Sequence, residues 1–109
     1  MNADASDDPG ARSSPDARSG DVRFQLYVAG HSPKSLRAIA NLRRICDEHL
    51  EGKASFVVVD VVEHPELAEM HRIHVLPTLV RESPPPKRRI SGDLSDAKRV
   101  LTTLKLDGD

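Results

Sequence analysis

Residues 22–46 read VRFQLYVAGHSPKSLRAIANLRRIC, and the change of hydrophobic period inside this stretch decides the fold. Val22, Phe24, Leu26 and Val28 alternate with Arg23, Gln25 and Tyr27, the two-residue period of a strand. Gly30 breaks the alternation. Ser32 followed by Pro33 then fits an N-cap with proline at the first helical position, where a missing amide hydrogen costs nothing. Beyond it Leu36, Ile39, Leu42, Ile45, Cys46 and Leu50 recur at steps of three and four, while Lys34, Arg37, Arg43, Arg44 and Glu48 fall largely elsewhere. That spacing predicts an amphipathic helix, with Gly52 as its stop.

Downstream, ASFVVVDVV at 54–62 is a β-branched run of the kind found in strands covered on both faces. Two strands joined through a helix predict a parallel pair with a right-handed crossover. His64-Pro65-Glu66 opens a short helix carrying Leu67, Ala68 and Met70. VLPTLV at 75–80 is a short apolar strand led by Pro77, a candidate cis bond. Ser83 and the three prolines Pro84, Pro85 and Pro86 make a stiff turn, KRRIS reads as an edge strand, and Gly92-Asp93 ends it. A last helix from Asp93 or Ser95 places Val100, Leu101 and Leu104 on its buried side. The predicted class is α/β, in the order β-α-β-α-β-β-α of a thioredoxin-like fold.

The 109 residues suit one domain, 21–109, preceded by a tail at 1–20 built from Asp, Ser, Ala, Arg, Pro and Gly. That composition predicts disorder for the tail. Sixteen Lys and Arg against 17 Asp and Glu give a formal net charge of −1, which offers no overall attraction for nucleic acid. No stretch approaches the roughly 20 apolar residues of a membrane span, and no signal-peptide core leads the chain. A cytoplasmic protein is expected.

In a thioredoxin-like chain the turn at 30–34 is where two redox cysteines would lie. Here it holds Gly30, His31, Ser32, Pro33 and Lys34, and Cys46 is the lone cysteine, so exchange between two local thiols is ruled out. Cys46 sits on the apolar stripe and reads as a core residue, with a reactive thiol as the alternative. His71 and His74 can share a helix face, yet no third ligand completes a metal site. Asp60, Asp93 and Asp96 fall where strand ends and helix caps want them, so no acid-base pair suggests a hydrolase. Lys87, Arg88 and Arg89 form a basic strip that either protects an edge strand or docks an acidic partner.

LYVAGHSPKSLRAIANL, VVDVVEHPELAEMHRIHVLPTL and PPPKRRISGDLS, in this order and spacing over about 24–106, strongly resemble the KaiB family. The resemblance implies a non-enzymatic clock protein that binds the N-terminal ring of KaiC, a hexameric ATPase and kinase, and that competes with the sensor histidine kinase SasA and sequesters KaiA. It also implies two folds, an oligomeric ground state such as a dimer or tetramer and a thioredoxin-like monomer captured by KaiC. By the same resemblance Arg37, Arg72, Arg88 and Arg89 match basic positions of the partner surface. Ala54, Ser55 and Val57 lie on a strand used at interfaces. Val57 replaces a typical lysine, which speaks for a system without KaiA-type contacts. Pro77, Pro84, Pro85 and Pro86 flank the segments that rearrange. Thr103 and Lys105 stand where the family often has glycine and aspartate, and both favour a terminal helix. No cofactor or metal is implied. The alternatives are a stand-alone signalling or stress-response module without KaiC, and a thioredoxin-type redox enzyme using Cys46.

Overall fold

The computed structural model describes residues 22–51 and 53–106. The expected tail at 1–20 and the helix stop at Gly52 lie outside the described residues. Seven elements follow one another: β1 (Val22–Val28), α1 (Pro33–His49), β2 (Ala54–Asp60), α2 (Pro65–Met70), β3 (Thr78–Ser83), β4 (Arg88–Ser91) and α3 (Ala97–Thr103). The four strands form one sheet in the order β2-β1-β3-β4. β1 and β2 run parallel, with Val22 against Ala54 and Val28 against Asp60, whereas β3 is antiparallel to both β1 and β4. The β1–β3 register shifts between Arg23 and Phe24.

Alternation along each strand sorts the side chains onto two faces. On one, Phe24, Leu26, Val28, Leu79 and Ile90 pack with Ala38, Leu42, Ile45 and Cys46 of α1 and with Val100 and Leu104 at α3. On the other, Tyr27 and Val80 pack with Ile73, joined by Val59, Val61, Ala68 and Leu76. A seven-residue α3 and a six-residue α2 are too short to hold helical shape alone, so their place depends on these contacts.

Four local expectations need correction. The run expected at 54–62 is a strand only over Ala54–Asp60, and that strand is an edge, not doubly covered: Val57 and Val58 remain 36% and 39% exposed, and nothing pairs beyond β2 in the described sheet. Leu36 is 49% exposed, since the buried stripe of α1 starts from Ser35 and Ala38. The last helix starts at Ala97 with Asp96 as its cap, Asp96 Oδ1 accepting from the Arg99 amide at 3.1 Å. Lys105 falls past the end of that helix, in left-handed backbone with φ 57°.

Other expectations hold. Ser32 caps α1, its hydroxyl oxygen accepting from the Ser35 amide at 3.2 Å, with Pro33 at the first position. The Leu76–Pro77 bond is cis, as are Ser83–Pro84 and Pro85–Pro86. No helix among the described residues is long and apolar enough to cross a membrane.

Candidate partner-binding face

At the turn where redox cysteines would sit, two serines form a closed polar unit. The Ser32 hydroxyl donates to Ser35 Oγ at 2.8 Å, and Ser35 Oγ also accepts from the Ala29 amide at 3.1 Å. Asp60, from the end of β2, accepts from the amides of Gly30 at 3.0 Å and Val62 at 2.9 Å through Oδ1. Gly30 takes φ 58°, which glycine tolerates without strain. Ser32, Ser35 and Asp60 are engaged in holding the loop.

Cys46 is 6% exposed within the α1 stripe, and burial, helped by Asp47, pushes its thiol up to about 11. A thiol held protonated at neutral pH is a poor nucleophile. Among the described residues no group of three or more His, Cys, Asp or Glu is placed to hold a metal ion. His71 lies beside Tyr27 with ring centroids 6.0 Å apart, and His74 is exposed.

The basic residues separate by face. Arg89 follows the parity of Val80 across the β3–β4 register and shares the α2 face, whereas Arg88 pairs with Arg81 on the α1 and α3 face. The expected basic strip is therefore split, because neighbouring residues of a strand point to opposite sides. Arg88 is half-buried, with its Nε shut off from solvent and unpartnered. Arg37, on α1, has its Nε 3.4 Å from Asp93 Oδ2. Hydrogen bonds from Ser95, joined by Arg37, hold the Asp93 carboxyl below its ordinary range. Arg37 and Arg88 thus do not join Arg72 and Arg89.

Arg72 and Arg89 do come together. α2 ends at Met70, His71 caps it, and Arg72 follows with φ 57°. The Ile73 amide donates to the Ala68 carbonyl at 2.8 Å and the Arg72 amide to that of Glu69 at 3.2 Å, the bonding of a Schellman terminus. From β4 the Arg89 guanidinium donates to the carbonyls of Arg72 at 2.9 Å and His71 at 3.0 Å. Arg72 itself stays exposed. Tyr27, Met70, His71, Arg72, Lys87 and Arg89 line an open cleft of about 240 Å³ together with Glu82, which pairs with Lys87 at 3.1 Å. Burial and Glu82 push the Tyr27 phenol up, against Arg89. Ser55 and Val57 of β2 lie on this same face by parity with Val59. Its character is an apolar floor bordered by cations, suited to a protein surface bearing carboxylates.

Sequence reasoning missed Arg81. Only 5% exposed, it donates from Nη1 to the Leu104 carbonyl at 2.6 Å and from Nη2 to the Pro86 carbonyl at 2.8 Å. A charged residue inside a strand gives no sign of burial by its type; its parity with Leu79 was the one available signal.

Residues 25–106 match the family model for the KaiB domain. The circadian clock oscillator protein KaiB of Prochlorococcus marinus strain MIT 9313 is 49% identical over 83 residues, 76% of this chain and 70% of that protein. Among solved structures, the N-terminal domain of Synechococcus elongatus SasA superposes with a TM-score of 0.65 at 27% identity, covering 88% of this chain and 94% of that one. Chloroplastic thioredoxin z gives a TM-score of 0.66 at 25% identity, covering 83% and 81%. The fold is that of thioredoxins, yet the turn carries serines, and the relatives found by sequence are named as clock proteins. The chain belongs to the KaiB family.

Proposed function

We propose that this chain is a non-enzymatic timing protein that docks on the N-terminal ATPase ring of a KaiC-type hexamer and modulates its phosphorylation and ATPase cycle. The observation that carries this reading is the exposed Arg72, tied at its backbone to Arg89 on the open α2 face of a KaiB-family domain. Arg72 is the principal contact, with Ser55 and Val57 extending the same face toward the free edge of β2. Arg37, exposed on α1, is available to a partner that reaches round the helix. The thioredoxin-like form described here is the binding-competent one, and an oligomeric ground state would be its reservoir. The likeness to the SasA N-terminal domain supports a sensor kinase of that type as competitor for the ring. Val57, apolar where a cation would serve, disfavours a KaiA-type partner.

The test is a binding isotherm against the immobilised N-terminal ring of the same organism's KaiC-type protein, measured at several salt concentrations. Saturable binding that weakens with salt, and falls at least tenfold in Arg72→Glu, supports the reading. Equal binding by wild type and Arg72→Glu contradicts the site. Absence of binding by the wild type moves the function to a signalling module with another partner.

A further inference from the structure

The two short helices end in one and the same way. At α2 the left-handed residue after the cap is Arg72; at α3 it is Lys105, also with φ 57°. Each is followed by an amide bonding back across the turn, Ile73 to Ala68 at 2.8 Å and Leu106 to Leu101 at 2.7 Å. Glycine is the usual occupant of this position, since an L side chain there crowds its own carbonyl. Both positions here carry long cations instead. At both, an arginine of the β3–β4 hairpin donates to the carbonyl of the cap and to that of the left-handed residue. Arg89 reaches His71 at 3.0 Å and Arg72 at 2.9 Å; Arg81 reaches Leu104 at 2.6 Å and Lys105 at 3.5 Å.

We infer that Arg89 is a positioning residue: its guanidinium clamps the end of α2, holds Arg72 in its left-handed conformation and so fixes the outward aim of the Arg72 side chain. Arg89 directs both terminal guanidinium nitrogens, Nη1 and Nη2, at backbone carbonyls. Those bonds are charge-assisted and planar, a fork that one lysine ammonium cannot reproduce. They are also exposed, so losing them leaves two carbonyls that water can reach and a domain that still folds. What is lost is the definition of the turn. A glycine at 72 would need no clamp but would present no charge, and the pairing of a strained cation with a clamping arginine keeps both the turn and the charge.

The clamp is a statement about the chain alone, whereas the use of Arg72 rests on the proposed docking to the KaiC-type ring; the experiment separates them. Amide hydrogen exchange at Ile73 is measured on the isolated chain for wild type, Arg89→Gln, Arg89→Lys and the double variant Arg89→Gln/Arg72→Gly, and the binding isotherm is repeated for each. Expected is about a tenfold loss of Ile73 protection in Arg89→Gln and a smaller loss in Arg89→Lys, with β1 and β2 amides unchanged. The double variant regains Ile73 protection and still binds the ring at least tenfold more weakly than wild type. Unchanged Ile73 protection in Arg89→Gln overturns the clamp. Full binding by Arg89→Gln despite lost protection overturns its role in aiming Arg72. If Arg89→Gln does not fold, Arg89→Lys decides the same question.

Discussion

The guanidinium of Arg81, on β3, lies 2.6 Å from the carbonyl oxygen of Leu104, the residue that caps α3. The same side chain reaches Pro86 at 2.8 Å, so one buried cation joins the proline turn to the C-terminal helix without a carboxylate among its hydrogen-bond partners. Burial and the neighbouring Arg88 lower its pKa. Arg81→Met keeps the length and removes the donors, stranding the buried Leu104 carbonyl. A loss of roughly 1–3 kcal/mol in urea unfolding is expected, with exchange protection falling first at Val100, Leu104 and Leu106. Uniform loss of protection across all strands would argue that Arg81 is merely a core residue.

Thr103 and Lys105 act in opposite directions. Thr103 ends α3 as an exposed helical residue, so Thr103→Gly weakens the helix by about 0.5 kcal/mol. Lys105 is left-handed, so Lys105→Gly relieves strain and stabilises by about 1 kcal/mol. We expect α3 to dominate in solution, read as helical shifts at 97–103 in backbone NMR. Strand shifts over 100–106 would contradict this.

The polar unit under the N-terminus of α1 gives a third expectation. Ser35→Ala removes the acceptor of the Ala29 amide and of the Ser32 hydroxyl at a fully buried position, and is expected to lower stability by about 1–3 kcal/mol. Thermal denaturation of Ser35→Ala beside Ser32→Ala, which loses mainly a cap worth about 1 kcal/mol, measures the difference.

Cys46 sets a pH dependence. Its thiol titrates at about 11 in the fold, above its ordinary 9.0, so the folded state keeps a proton that the unfolded chain gives up. The stabilisation is complete below pH 9 and is lost as pH rises toward 11, on the order of 2–3 kcal/mol. Urea midpoints for wild type should fall more steeply between pH 8.5 and 11 than those of Cys46→Val, and the native thiol should resist a thiol reagent at pH 7.5. Rapid labelling of the folded chain would reopen a redox reading.

Much of the fold was legible because period and punctuation agree. The strand that becomes a helix at Ser32-Pro33 and the buried Cys46 follow from local chemistry, whereas at Pro77 the residue type marked only a candidate and the structure supplies the cis isomer. The β2 run misled because consecutive valines suit an edge as well as a centre, and only pairing decides between them. Arg72 and Arg89 were both singled out from sequence, but their union depends on β4 lying beside the end of α2, 17 residues away. Arg88, one residue from Arg89, went to the opposite face for the same reason that a strand alternates. The left-handed turns at Arg72 and Lys105 carried no glycine to announce them.

The most direct test is size-exclusion chromatography with light scattering on this chain mixed with its own organism's KaiC-type hexamer, in ATP and in ADP, beside Arg72→Glu. Expected is slow, nucleotide-dependent co-elution with the hexamer that Arg72→Glu abolishes. Separate elution of the two proteins under both nucleotides would contradict the proposed function.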